Sequence, residues 1–544
     1  MADLRSDPAA ATAEPRPAGS TRAGRKAPRR PVGWLVVVVP VLVEFVVGGY
    51  RISGPSFWRD EGYTIVGAQR PVGAIFALVR HEDAFHGLYL LLMHPIIATF
   101  GRSEFALRVP SLLAMSAAAG LTAALGRRLA QASGLPGAPA IGMIAGLLLA
   151  ALPVTTRYAQ EGRPYALTIL FAAATTYLLL VASARTGWRW WALYSAAIVM
   201  TGLFDLVAVL LAGTHGVSML AARRVDPGDK PHHPQVAAGL SASVLRRWLA
   251  ASVVAAVVLS PLVVFSFRQR AQLDWVQRPN LQTVYGLLND FSGATLLMPV
   301  VGALVVLGCL AAPGLRRGRG LTLALVCLPW FLLPPSLLLG ISLVHPAYVD
   351  RYILFSLPAL VILVAAGLVW LASLTRRRIA ARIPERRALL LSAVPSAALA
   401  ALIVVMVIGP QAALRLPNSR ADDLRTISRI IASHQRPGDT VLYLPRKVAV
   451  ISRAYPDPFD KLKDIDMLAG PVPSGTLLGT PAGPKVVAQR LKGVRRVWTV
   501  EWVHPLAADS VPPTDIVRLL APMRMVGSWL VQSVLLVLYA APTR

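Results

Sequence analysis

Leu88-Tyr-Leu-Leu-Leu-Met-His-Pro-Ile-Ile-Ala-Thr-Phe100 decides how this chain is read. The stretch is apolar, but a helix of that length reaches only about 20 Å at 1.5 Å per residue. A bilayer's hydrocarbon core is roughly 30 Å thick. We therefore read it as a re-entrant or interfacial segment. Counting it as a crossing would reverse the side of every later loop. Apolar blocks suited to crossing lie on either side of it, at 33–50, 107–126, 139–156, 165–184, 190–204, 206–222, 248–267, 293–312, 321–343, 352–374 and 388–410. The pair at 190–222 is joined only by the very short turn Phe204-Asp205. The block Gly33–Tyr50 is too long for a signal-peptide core and has no convincing cleavage site, so it reads as a retained first span.

With Leu88–Phe100 left out, the basic loop residues fall on one side. They are Arg127/Arg128, Arg185/Arg189, Arg223/Arg224/Lys230/Arg246/Arg247, Arg316/Arg317/Arg319 and the run from Arg376 to Arg387. The Ala-, Pro- and Arg-rich segment 1–31, which reads as a disordered basic tail, joins them. The positive-inside rule makes that side cytoplasmic. About eleven spans then place the N-terminus inside and everything after Pro410 outside, in a multi-pass plasma-membrane protein.

Composition agrees. Of 544 residues 55% are hydrophobic and only 15% charged, with mean hydropathy +0.57. A soluble chain carries about 25% charged residues, so a purely soluble enzyme is excluded. The net charge of +28 is mostly loop charge on one side and calls for no nucleic-acid partner. The two cysteines, Cys309 and Cys327, lie inside apolar blocks and build neither a disulfide framework nor a CxxC site. No internal repeat is visible, which disfavours a transporter built from repeats.

Three units follow: the tail 1–31, a membrane body 32–410 with a long first outer loop at 51–106 carrying interfacial helices, and a segment 411–544 of different character. That segment pairs an amphipathic helix, Asp422 to His434, with a turn at Pro437-Gly438-Asp439 and a strand Thr440–Leu444. Later come Arg496-Val-Trp-Thr-Val500 and an apolar stretch, Trp529 to Tyr539, interrupted by Gln532 and Ser533. Helix and short apolar strand suggest a small extracytoplasmic α/β domain.

The polar residues that can carry chemistry sit in the outer loops. Phe57-Trp-Arg-Asp-Glu61 puts two adjacent carboxylates just beyond a span, where partial desolvation and a like neighbour raise carboxylate pKa values toward those useful in a base. The alternative is an Arg59–Asp60 ion pair that fixes the loop. Arg157-Tyr-Ala-Gln-Glu-Gly-Arg-Pro-Tyr165 packs Glu161 and Arg163 into a short connection, where Glu161 either caps the next helix or shares a cavity with Asp60. His345-Pro-Ala-Tyr-Val-Asp-Arg-Tyr352 sets Arg351 at an interface, where a guanidinium binds a lipid phosphate bidentately or simply anchors the loop. Glu44, Asp205 and His215 are ionisable residues in or beside spans, and His215 could equally pair with a neighbouring helix. His81, Asp83 and His86 could hold a divalent metal, Mg or Mn, with Asp60 or Glu61.

Together Asp60-Glu61, Gly101-Arg-Ser-Glu-Phe-Ala-Leu-Arg-Val-Pro-Ser111, Tyr158-Ala-Gln-Glu-Gly-Arg-Pro-Tyr-Ala-Leu167 and Asp350-Arg-Tyr-Ile-Leu-Phe-Ser-Leu-Pro358 resemble the GT-C glycosyltransferases. The nearest branch is the bacterial relatives of protein O-mannosyltransferases and the lipid A aminoarabinose transferase, and actinobacterial members look similar in the outward tail. The resemblance covers about 33–410. It implies a polyprenyl-phosphate-linked sugar donor and a lipid, glycan or protein hydroxyl acceptor at the outer face. Asp60 would then be the base, Glu61 would orient it or the acceptor, and Glu161 would stand at a functional acidic position. Arg59, His86, Tyr89, Arg163, Tyr165, Arg351 and Tyr352 make the expected donor- and substrate-binding set. Where relatives often carry His-Pro-Pro or Pro-Pro-Leu-Tyr, this chain has His86-Gly87-Leu88-Tyr89, so the resemblance does not transfer the substrate. Mannose is the leading sugar and an arabinose-type pentose the alternative. A transporter or an assembly protein would be a different class altogether.

Overall fold

The computed structural model describes residues 33–223, 241–312, 320–380, 383–503 and 514–542. The basic tail and Arg224, Lys230, Arg316, Arg317, Arg319 and Arg382 lie outside the described residues. Helix α1 (Leu35–Gly49) is followed by α2 (Arg59–Ala68), α3 (Val72–His81) and α4 (Gly87–Phe100). The membrane body continues with α5 (Glu104–Ala132), α6 (Ala138–Ala151), α7 (Pro153–Ala159), α8 (Tyr165–Ala184), α9 (Trp188–Phe204), α10 (Leu210–Arg223) and α11 (Ala242–Arg268). It closes with α12 (Leu281–Ser292), α13 (Met298–Ala311), α14 (Leu323–Ser342), α15 (Leu357–Ala380) and α16 (Glu385–Ala413).

Every expected crossing is helical, but the helices are not equal. Among the described residues 7 are long and apolar enough to span, or up to 9 if each bent pair, α6 with α7 and α12 with the helix through α13, is one span. The remaining two expected spans are α1, of 15 residues, and α9, of 17. The count of about eleven is therefore met only by admitting two short helices. The bends are sharp, 66° before α7 and 82° before the Thr295–Ala311 segment. The second makes α12 an amphipathic helix with Leu281, Tyr285 and Leu288 exposed, an element not expected from the sequence.

Small residues allow the helices to approach closely. A Cβ on Gly308 of α13 would lie 2.1 Å from the Leu363 carbonyl oxygen of α15, and one on Gly367 would lie 2.2 Å from that of Leu304. No other residue type fits this reciprocal contact, and backbone approach of this kind is how apolar helices associate where water supplies no driving force.

The remaining chain forms a sheet-containing domain. Helix α17 (Leu424–His434) buries Leu424, Ile427 and Ile431, one helical face. Asp423 caps it, accepting from the Thr426 N–H at 3.0 Å. Five strands lie in the order β2 (Lys463–Asp464), β1 (Thr440–Leu444), β5 (Arg496–Trp502), β7 (Val534–Ala540), β6 (Arg524–Val531), with β3 (Met467–Ala469) and β4 (Thr480–Pro481) as a separate pair. β1 runs parallel to β2 and β5, whereas β7 is antiparallel to β5 and β6. Gln532 and Ser533, which interrupt the last apolar stretch, form the β6–β7 turn. The single stretch is thus two strands of a hairpin.

One hydrophobic core fills the membrane body. A second joins α2, α3 and α4, through Ile65, Leu78, Tyr89, Leu90 and Met93, to Leu424, Ile427, Val450 of α18 (Val450–Ala454) and Trp498. The first loop and the sheet domain are packed on each other. They therefore lie at the same end of the bundle, and the helices between them must cross an even number of times. Helices α5, α6–α7, α8, α9, α10, α11, α12–α13, α14, α15 and α16 meet that requirement; adding α4 would break it for α2. Single cysteines at Ser53→Cys and Asp460→Cys, in a chain with Cys309 and Cys327 changed to Ala, should label with a membrane-impermeant maleimide from the same face of sealed vesicles. Arg185→Cys should label from the other face. Opposite labelling of the first pair would refute this topology.

Candidate active site

Three consecutive residues open α2, and a helix turns about 100° per residue. Arg59, Asp60 and Glu61 therefore face three different neighbours. Arg59 reaches the sheet domain: its Nε donates to Asp422 Oδ2 at 2.7 Å, its Nη2 to Asp422 Oδ1 at 2.8 Å, and its guanidinium lies 4.5 Å from the Trp502 ring. Burial opposes ionisation of Asp422, but the hydrogen bonds and charge of Arg59 outweigh it and hold the carboxyl below its usual range. The alternative Arg59–Asp60 pair does not form, and Arg59, expected in the donor- and substrate-binding set, is instead paired with Asp422.

Glu61 turns into α5. It is fully buried; Oε1 accepts from Arg108 Nε at 2.7 Å and Gly162 N at 2.9 Å, and Oε2 from Arg108 Nη2 at 2.7 Å. The rest of the Arg108 guanidinium donates to the carbonyls of Ile52, Pro55 and Ser56. Every lone pair Glu61 uses is directed at protein, which fits an orienting role and leaves no room for it to act as a base.

Asp60 is the member whose carboxylate is held only loosely: its side chain is 13% exposed and Oδ2 lies 3.5 Å from Arg351 Nη2. Arg351 stands among the rings of Tyr165, Trp275 and Tyr352, each within about 6 Å of its guanidinium. Arg163 donates to the Asp60 carbonyl at 3.3 Å, and its Nη2 meets His86 Nε2 at 2.6 Å. His86 Nδ1 in turn pairs with Asp83. A guanidinium offers only donors, so His86 accepts at Nε2 and carries its proton at Nδ1 toward Asp83. Both histidine nitrogens are thereby occupied, and His81 Nδ1 lies against the Ala77 carbonyl of its own helix. These residues do not converge with Asp60 or Glu61. Among the described residues no group of three or more His, Cys, Asp or Glu could hold a metal ion, so the proposed Mg or Mn site does not fit this donor set.

Glu161 does not cap α8. Its carboxylate is buried, neither oxygen has a hydrogen-bond partner, and Arg157 and Arg420 lie within electrostatic reach. Burial pushes its carboxyl up to about 7 against the attraction of those two arginines. Buried donors without partners lie on the same groups, at Arg157 Nε, Arg163 Nε, Arg351 Nε and Arg420 Nε and Nη1. Buried polar atoms are normally satisfied, and these four arginines leave five nitrogen positions without a protein partner.

The remaining candidates separate. Tyr165 packs edge-on to Tyr158 at 5.3 Å and, with Tyr352, borders Arg351. Tyr89 is fully buried in the core under α2. Asp205 caps the turn after α9, accepting from Val207 N at 3.0 Å. His215 is a satisfied core histidine, bonded to Thr176 and Tyr194 across helices. Glu44 is buried in α1, within electrostatic reach of Arg415. Missed by the sequence reading were Arg108, Asp422, Arg157 and Arg420. Arg108 carries a signal, an arginine inside an apolar helix; Asp422 and Arg420 carry none without the fold.

Helical bundle, interfacial loop helices and appended sheet domain make this the GT-C fold. No protein-family model and no curated protein sequence matches the chain, but solved structures do. ArnT from Cupriavidus metallidurans bound to undecaprenyl phosphate is similar over 94% of this chain and 100% of that one, with TM-score 0.56 and 17% identity. The apo state of ArnT matches with TM-score 0.58 at 16% identity, covering 94% and 99%. The oligosaccharyltransferase AglB from Archaeoglobus fulgidus, in complex with an inhibitory peptide and a dolichol-phosphate, matches with TM-score 0.50 at 11% identity over 94% of this chain and 74% of that one.

Two outcomes check this description. Glu61→Leu strands the Arg108 charge in the core and should cost about 3–5 kcal/mol, read as a large loss of thermal stability in detergent; a loss within that of a surface substitution would refute the pair. Glu161 keeps its proton in the folded chain to higher pH than its ordinary 4.5. Folding then binds a proton, and stability falls as pH rises from 4.5 to about 7. The melting temperature of the wild type should drop relative to Glu161→Gln across that window and level off above it; parallel curves would contradict it.

Proposed function

We propose that the chain transfers a sugar from a polyprenyl-phosphate-linked donor to a hydroxyl of a cell-envelope acceptor, on the outer face of the membrane. The observation that carries this is Asp60, a carboxylate loosely held 3.5 Å from an aromatic-framed arginine, between neighbours that the Arg59–Asp422 and Glu61–Arg108 ion pairs fix. The fold supports it, since ArnT binds undecaprenyl phosphate and AglB dolichol-phosphate in structures of that architecture. Mannose is the sugar we propose, with an arabinose-type pentose as the alternative donor.

The chemistry needs one base and one cation. Asp60 takes the acceptor's hydroxyl proton while that oxygen attacks the anomeric carbon. The carbon–oxygen bond to phosphate breaks, and polyprenyl phosphate leaves with the electron pair. A single displacement inverts the anomeric centre. Arg351 makes only one loose contact to Asp60 and has an unpartnered Nε. An arriving phosphate draws it off, which frees the Asp60 carboxylate and stabilises the leaving group. Arg163, tied to His86 and the Asp60 backbone, positions Asp60. Glu161 and Arg157, whose unpartnered polar atoms remain available for hydrogen bonds, are the residues we assign to sugar hydroxyls.

Asp60→Asn should lower transfer from polyprenyl-phosphate-mannose about 10²–10⁴-fold in purified protein supplied with cell-envelope acceptors, while donor binding persists. Transfer undiminished in Asp60→Asn would remove the base, and failure of both hexose and pentose donors with the wild type would remove the reaction.

A further inference from the structure

Two adjoining cavities occupy the junction of α1 and α16, and Asp60 lines neither. The first, about 440 Å³, is bordered by Arg51, Ser53 and Arg415. The second, about 340 Å³, runs along Val47, Val404, Val407 and Ile408 and also ends at Arg415. A polar mouth thus opens onto an apolar groove at the end of α1, where apolar helix gives way to polar loop.

The charges at the mouth are arranged in an unusual way. The Arg51 and Arg415 guanidiniums lie 5.9 and 5.6 Å from the same ring, that of Tyr50. Among the described residues neither arginine forms an ion pair with a carboxylate. Arg415 is 9% exposed; it donates to Val47 O at 2.7 Å, to Gln411 Oε1 at 2.8 Å and to the Gln411 carbonyl, and its buried Nε has no partner. Glu44, the acid within electrostatic reach of Arg415, makes no hydrogen bond to it. The mouth is therefore cationic with no carboxylate in its walls, and guanidinium donors suit phosphate oxygens.

We propose that this junction binds an anionic glycerophospholipid of the bilayer, its phosphodiester at Arg51 and Arg415 and one acyl chain along Val404, Val407 and Ile408. The cavity walls carry no carboxylate or histidine, so nothing here acts on a sugar, and the occupant is a membrane lipid rather than the glycosyl donor. The position gives it a consequence. A Cβ at Gly54 would lie 2.8 Å from the Arg415 carbonyl oxygen, so the start of the Asp60 loop rests on the residue that holds the lipid. Arg415 also begins the strap leading to Asp422, the partner of Arg59. Lipid binding there steadies both ends of the frame around α2. The inference needs the chain to span a membrane and is independent of the sugar-transfer reading.

Delipidated protein titrated with phosphatidylglycerol or phosphatidylcholine of matched chains, followed by native mass spectrometry, tests it. Phosphatidylglycerol should bind several-fold more tightly. Arg51→Ala, at an exposed position that leaves the fold intact, should weaken phosphatidylglycerol about five-fold and leave phosphatidylcholine unchanged. Arg415→Lys, which keeps the charge but not the two-pronged donor, should weaken it less than Arg415→Ala. Equal binding of the two lipids, or equal binding by wild type and Arg51→Ala, would overturn the proposal. So would undecaprenyl phosphate displacing phosphatidylglycerol from the protein at lower concentration than phosphatidylglycerol itself requires.

Discussion

Arg108 is a guanidinium buried in α5 with all its N–H groups directed at acceptors: the two Glu61 oxygens and the carbonyls of Ile52, Pro55 and Ser56. Removing a charge from water is tolerable only when its hydrogen bonds are replaced nearly in full. The replacement therefore dictates the path of the backbone from the end of α1 to the start of α2. Once residues 52–56 must present their carbonyls to Arg108, α2 can begin only where it does, and Asp60 is carried into place by its neighbours.

A second clamp acts from the opposite side. Arg59 is held by Asp422, and Glu104 at the start of α5 accepts from Arg425 and from the Tyr455 hydroxyl, both at 2.5 Å. Gly62 has no room for a Cβ because Val450 Cγ2 would lie 2.5 Å away. The sheet domain is thus part of the scaffold of α2. Apolar burial, one buried ion pair and one partly exposed pair fix one helical turn from both flanks, which is how a short interfacial helix acquires the rigidity of a core element.

Features governed by local pattern could be read from the sequence. The short length of Leu88–Phe100, the amphipathic stripe of Leu424, Ile427 and Ile431, and strands such as Thr440–Leu444 depend on periodicity and length, and all appear as expected. What escaped depends on long-range pairing. Arg59 beside Asp60 reads as a local ion pair, yet its partner is Asp422, 363 positions away. The last apolar stretch reads as one segment because the turn at Gln532–Ser533 shows itself only once β7 has β5 to pair with. The α12 helix was missed because its apolar residues are spread over one face and its break from α13 is a bend rather than a charged loop.

The same geometry separates the two carboxylates that the sequence offers as a pair. Adjacent acids compete for one proton when their charges meet in one site, but here the helix turn sends Glu61 into a complete ion pair and Asp60 to a partial one. Arg351 meets a carboxylate through one contact of 3.5 Å, whereas Arg108 is engaged through five hydrogen bonds. The difference between Arg351 and Arg108 is therefore a difference in how completely the protein satisfies each guanidinium. Arg108 is satisfied wholly by the protein, whereas Arg351, framed by Tyr165, Trp275 and Tyr352, keeps an Nε without a protein partner.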